Sequence, residues 1–374
     1  MTTHRTLAAG AVALVALGLV GCSSSTSTTP PAGSPTTSKN PATSELVFFS
    51  VGGTFQKAQV DGLFQPCADK NGITLKQDEG PSVAKIRAAV ESGNVPWDII
   101  EVGESDLPTL IAEDLIVPID YSYFDQATLD AIDPVFRPER AVEAVIFVEG
   151  IGYRTDVASH PTTWAEFWDT SKFPGLRVMP SGNYFNPTVF ESALVADGVT
   201  PGQQYPIDFD RAFKSLDKIK GSVKAWHDTP APGVQLLVDG EVNYGLLPNG
   251  RVLQAKGQGA KVDFDYSQAF RLVDYHVVPK GAKNLDNAMK CLAYSMTKDA
   301  SVAFMKLIAY GRSNKDANKA LQAEDPAYAA TLPTSPDNYA KTLPTDMTWY
   351  AQDSGNGKTW LQVSIERWNE WYGQ

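Results

Sequence analysis

"GPSVAKIRAAVESGNVPWDII" (80–100) carries two periodicities in succession. From Pro81 to Gly93 the apolar residues Val83, Ile86 and Val90 share one face at helical spacing, with a proline near the start and a glycine at the stop. From Trp97 onward "WDIIEVG" (97–103) is a compact apolar run that reads as a buried strand. An amphipathic helix that stops at glycine and feeds a buried strand is the repeating unit of an α/β layer.

The same unit recurs on both sides. Upstream stand the strand "ELVFFS" (45–50), the helix "TFQKAQVDGLFQPCADKNG" (54–72) and the strand "ITLKQDEG" (73–80). Downstream come "ESDLPTLIAED" (104–114), a short strand "LIVPID" (115–120), and the long apolar stretch "AVEAVIFVEGIGYRTD" (141–156). The alternation goes on through "LRVMP" (176–180), "FDRAFKSLDKIKG" (209–221), "SVKAWH" (222–227), "VNYGLLP" (242–248) and "RLVDYHVVPKG" (271–281), then turns helical from Asn284. Some 330 residues of this kind suffice for two lobes. In open α/β sheets ligands sit beyond the carboxyl ends of the strands, so a cleft between two such lobes predicts a binding architecture.

The amino terminus reads differently. Arg5 precedes an uncharged run from Leu7 to Gly21, the charged and apolar regions of a secretory signal too short to span a bilayer comfortably. Leu19-Val20-Gly21-Cys22 resembles the bacterial lipobox, which implies cleavage before Cys22 and a lipid on that cysteine. Ser23 to Ser44 holds small and polar residues with Lys39 its only charge, so nothing offsets the entropy of ordering it. It reads as a leash able to reach about 70 Å. The expected organisation is a signal at 1–21, a lipidated cysteine and linker at 22–44, one lobe from 45–149 with 277–374, and a second lobe from 150–276. The chain is expected outside the cytoplasm, held to the membrane by its lipid and otherwise monomeric.

Without residues 1–21 the chain has 31 basic and 43 acidic residues, a charge of −12. That argues against nucleic acid and against a basic membrane-binding patch. Cys67 and Cys291 are allowed a disulfide outside the cytoplasm, yet each also has apolar neighbours that suit a buried thiol, and both readings stay open. No GxSxG and no HExxH occurs, and His160, His227 and His276 lack metal-ligand spacing. "SGNGKT" (354–359) fails as a phosphate loop because Gln352 stands where the first glycine belongs. No enzyme, cofactor or metal is expected.

The collinear set "SVGGTFQKAQ" (50–59), "EGIGYRTDV" (149–157), "TWAEFWDTSKFPGLR" (163–177), "QLLVDGEVNYGLLPNGR" (235–251) and "DYHVVPKGAKN" (274–284) resembles the spermidine/putrescine-type periplasmic substrate-binding proteins of ABC importers, over nearly all of 45–372. The resemblance implies a two-lobed type II periplasmic binding protein fold, hinged and closing on a small solute, with an ABC permease and ATPase as partners. It also implies an ammonium-anchoring carboxylate at Asp274.

This chain departs from the polyamine pattern around the cleft. Leu272 and Pro248 stand where aromatics are usual, and Asn183, Tyr184, Phe185 and Asn186 replace expected acids. Glu149 and Glu104 are candidates for a second acidic anchor, each equally readable as a solvated loop acid. Gly52, Gly53 and Thr54 could offer backbone donors or form a mere turn; Ser105, Tyr184, Trp226, His227 and Asn249 are candidate contacts by position. Arg251 and Arg271 would suit a carboxylate-bearing ligand. The expected solute is small and amine-bearing, polyamine-like; the alternatives are a zwitterionic or carboxylate-bearing molecule, or an extracellular hydrolase.

Overall fold

The computed structural model describes residues 44–184 and 187–373. The signal, Cys22, most of the leash, and Phe185 and Asn186 lie outside the described residues. No helix among the described residues is long and apolar enough to cross a membrane.

Nine strands among the described residues belong to one hydrogen-bonded network: β1 (Glu45–Ser50), β2 (Thr74–Glu79), β3 (Ile99–Gly103), β4 (Val142–Arg154), β5 (Arg177–Pro180), β6 (Val223–His227), β7 (Tyr244–Pro248), β8 (Val262–Val277) and β9 (Leu343–Pro344). Their order is β2-β1-β3-β8-β4-β7-β5-β6, with β9 beside β8. The helix read at 81–93 occupies Val83–Glu91, its N-cap Ser82 accepting from the Lys85 N–H. It packs Ile86 into a cluster with Phe49, Trp97, Ile100 and Val102.

Two strands make this a two-lobed molecule. The first part of β4 and the last part of β8 pair with each other, and β8 pairs with β3, completing a sheet with β1 and β2. The last part of β4 pairs with β7 and with the start of β8, building a second sheet with β5 and β6. The register slips between Glu149 and Ile151, where the two sheets meet. Long strands shared by two lobes, interrupted at their midpoint, are what a hinge requires: a few residues absorb the φ/ψ change while the flanking sheets stay rigid.

One expectation is corrected, and two helices show more than the sequence did. "LIVPID" is no strand; only an isolated bridge from Ile116 to Pro279 forms, because Pro118 breaks the ladder. The helix at 54–72 contains a π turn, Val60–Phe64, centred on Gly62. A Cβ there would stand 2.8 Å from the Phe304 backbone, so the glycine lets two helices touch. The carboxyl-terminal helix Trp360–Tyr372 packs against second-lobe elements: Trp368 meets Phe190 and Trp226, and Trp371 meets Phe213. The Trp371 indole donates to Asp217, and Arg367 is bonded to Asp210.

Cys67 and Cys291 are joined, with Cα atoms 5.5 Å apart, tying the helix Gln65–Asn71 to the helix Leu285–Ser295.

Candidate ligand cleft between the lobes

Beyond the strand ends lies a cavity of about 290 Å³ between the lobes. Val145 and Phe147 of β4 and Asp274 of β8 line its floor. Val145 pairs with Asp274 and Phe147 with Leu272, so period-two alternation places these side chains in one row. Phe55 and Tyr310 close the first-lobe side with ring centroids 5.4 Å apart, and Tyr310 lies 5.9 Å from Phe147. Tyr184, Pro248, Arg251 and Asp228 line it from the second lobe.

Asp274 is 8 % exposed, and its carboxyl makes no hydrogen bond among the described residues. Burial drives it well above the usual carboxylate range, and the neighbouring Glu101, Glu104, Asp106 and Glu149 push the same way. An acid held so is costly to ionise until a cation arrives. Arg251 stands in the first turn of the helix Asn249–Gly257, half-buried and without an ion pair among the described residues. The preceding Gly250 presses on Tyr310: a Cβ would stand 2.3 Å from its ring. That close approach brings the Arg251 turn against the first lobe.

Asp274, Arg251 and Tyr184 thus meet in one cavity, with Pro248 beside them. Other expected contacts do not reach it. Glu149 lies behind Tyr184: it accepts from Thr188 at 2.6 Å and is hydrogen-bonded to the Tyr184 phenol, and burial lifts it to about 8. Glu104 sits beyond the floor near the Val273 backbone, lifted by burial to about 7, and Ser105 is buried beside it. Asn249 is committed to structure, accepting from the Val148 N–H and donating to the Ala309 carbonyl at 2.7 Å. Trp226 belongs to the aromatic cluster under the carboxyl-terminal helix. His227 is packed against Gly233 and Tyr184, and burial lowers it to about 4.

The Gly52 N–H is taken by the Gln56 side chain, and Gly53 has open space around it. Thr54 bonds Gln254 at 2.9 Å, joining the first helix to the Arg251 helix outside the cavity. Arg271 points away, donating to Thr342 and stacking 3.9 Å over Tyr339. In "SGNGKT" the Gly355 and Gly357 N–H groups are consumed by Asp353.

Asp228 and Tyr310 are wall residues without a motif in the sequence. Asp228 follows β6 directly, held by the Ser181 hydroxyl, and that position after a strand end was its one available signal.

A two-lobed α/β molecule with a hinged cleft has the architecture of a solute-binding protein. The chain belongs to the bacterial extracellular solute-binding protein family, whose model matches residues 62–332. It is 29 % identical over 300 residues to the gamma-aminobutyric acid-binding protein of Pseudomonas aeruginosa, covering 78 % of this chain and 83 % of that one. It is 26 % identical over 287 residues to spermidine/putrescine-binding periplasmic protein 1 of Haemophilus influenzae, covering 71 % and 76 %. Among solved structures, a GABA receptor superposes with a TM-score of 0.75 at 33 % identity, covering 88 % of this chain and 96 % of the other. The chain is therefore an extracellular solute-binding protein of ABC import and not an enzyme.

Proposed function

We propose that this protein captures a small zwitterion, an amino acid whose ammonium and carboxylate are separated by a short methylene chain, and delivers it to an ABC permease and its ATPase. The carrying observation is that the buried Asp274 carboxyl and the Arg251 guanidinium, without an ion pair among the described residues, line the same cavity. A carboxyl answers an ammonium and a guanidinium answers a carboxylate, each through charge-assisted hydrogen bonds. Phe147, Phe55 and Tyr310 supply the apolar middle. A diamine would meet Asp274 at one end and be repelled by Arg251. The relatives named for γ-aminobutyrate support this reading over the polyamine one.

In the same reading Cys22 carries the lipid, and 22–44 tethers a monomer near its transporter. The first lobe comprises 45–149 with 277 to about 344, and the second 150–276 with the remaining carboxyl-terminal segment, a division that the packing of Trp368 and Trp371 supports.

Calorimetric titration with 4-aminobutanoate and putrescine tests the proposal, on the parent and on Asp274→Asn. Losing one partner of a buried charged pair costs about 2–5 kcal/mol, and the lower end is about thirtyfold in Kd. Asp274→Asn should weaken 4-aminobutanoate by at least that factor with the fold intact. Unchanged affinity would remove Asp274 from the site, and binding of putrescine alone would restore the polyamine reading.

A further inference from the structure

We propose that Glu101 is a specificity-determining residue for the amine end of the cleft, acting through Asp274: the two acids hold a proton in the empty site and surrender it when a ligand ammonium enters. The inference rests on the reading that the ligand carries an amine.

The geometry begins with the β3–β8 ladder. Gly103 stands opposite Asp274, and Glu101 opposite His276. Alternation puts Glu101, Asp274 and His276 on one face, with Glu101 diagonal to Asp274. Gly103 places no side chain between them. Glu101 is 1 % exposed, and its Oε1 has no hydrogen-bond partner. Two acids this close in a dry place cannot both ionise cheaply.

A buried chain of hydrogen bonds then offers one proton a place on Glu101. Gln59 Nε2 lies 3.2 Å from His276 Nε2, and an amide NH₂ can only donate, so that imidazole nitrogen accepts. Ser50 donates its single hydrogen to Gln59 Oε1 at 2.8 Å. The Ser50 oxygen also contacts Glu101 Oε2. With the Ser50 hydrogen already spent, that contact is a hydrogen bond only when Glu101 Oε2 bears the proton. The chain therefore runs from Glu101 through Ser50 and Gln59 to His276.

The same four side chains also satisfy the ionised acid. Turning the Gln59 amide over and moving the imidazole proton to Nε2 reverses every donor: His276 donates to Gln59, Gln59 to Ser50, and Ser50 to the Glu101 carboxylate. No backbone has to move. Burial sets Glu101 at about 7, where this reversal falls within ordinary pH.

The surrounding charges favour the exchange. Glu104 and Asp106 after β3 and Glu149 on β4 all oppose a further anion at Asp274. Arg251 faces Glu101 and Tyr310 from the second lobe, the cation that eases ionisation of the acid. On the far side of His276, Arg312 is committed to Glu143, and it keeps the imidazole neutral together with burial. The phenols of Tyr184 and Tyr310 stay protonated, raised by burial. One ammonium enters and one proton leaves to solvent, so the amine end of the cleft keeps its charge. Neutral solutes offer nothing in exchange, and affinity for amines falls as the medium turns acid.

Calorimetry at pH 7 with 4-aminobutanoate and with putrescine, each in phosphate and in Tris, reads the proton directly from the buffer dependence of the heat. The parent should release between about half a proton and one per bound amine, and E101Q less than half of the parent's value. Equal heats in both buffers, or an undiminished release from E101Q, would overturn the proposal while leaving the amine-binding reading standing. If neither probe binds, that reading fails, and the ligand-free parent decides the proton chain through the ¹⁵N shifts of His276 between pH 5 and 9. Nε2 should change from acceptor to N–H as pH rises; a fixed tautomer would overturn the chain.

Discussion

Arg251→Gln separates the ligand classes more sharply than any other change in the cleft. The guanidinium is half-buried in the first turn of its helix and has no ion pair among the described residues, so the substitution orphans no acid there. Its cost should therefore appear in ligand binding and hardly in stability. A hydrogen bond to a charged group is worth about 1.5–3 kcal/mol, which converts to roughly 10- to 150-fold in Kd. Partial exposure places Arg251 in the lower half of that range, since water can replace some of the lost interaction. The variant should bind 4-aminobutanoate about 10- to 30-fold more weakly. Putrescine, which has no carboxylate and is repelled by the guanidinium, should bind the variant at least as well as the parent. Titration calorimetry of both ligands against both proteins, with melting temperatures as a control, supplies the measurement. A uniform loss for both ligands would mean that Arg251 supports the cleft without reading the solute. Undiminished binding of 4-aminobutanoate would refute the zwitterion assignment.

Cys22→Ser should release the protein from membrane fractions or stall its processing; a processed mutant that remained membrane-bound would end the lipid-anchor reading. Thiol titration of the denatured, unreduced domain lacking Cys22 should find no free thiol, and by loop entropy the bridge between Cys67 and Cys291 contributes about 5 kcal/mol. Two titrating thiols would refute the bridge. Glu149 is raised from 4.5 to about 8, so its stabilising contribution is complete below pH 4.5 and fades as pH rises through 8. Glu149→Gln should accordingly lose less melting temperature than the parent between pH 5 and 9, and parallel losses would show that the acid does not titrate there.

Most of the fold was legible because its signals are local. The helix above Trp97, the buried β3 and the glycine stops at Gly72 and Gly93 are written in neighbouring residues. The first part of β8 was not, because "VDFDYSQAF" (262–270) mixes polar and aromatic residues and its partner on β4 is more than a hundred residues away. Of the proposed site, Asp274 was reached through the family resemblance and its place in an apolar strand, and Arg251 only through its place near a cleft-forming segment. Glu149 also sits in an apolar stretch, yet faces the back of Tyr184, and no local pattern distinguishes a carboxyl on a cavity wall from one behind it. Tyr310 was hidden for the opposite reason. It follows an ordinary amphipathic helix, and only the glycine contact at Gly250 brings it to the cleft.

The packing of Trp360–Tyr372 against the second lobe sets an order of events during synthesis. Phe190, Phe213 and Trp226 wait for Trp368 and Trp371, which lie far later in the chain. Until they emerge, that half of the molecule lacks part of its aromatic core. The gap is long in sequence, and contacts of high separation form slowly. A core completed by so distant a segment carries a built-in delay in its folding.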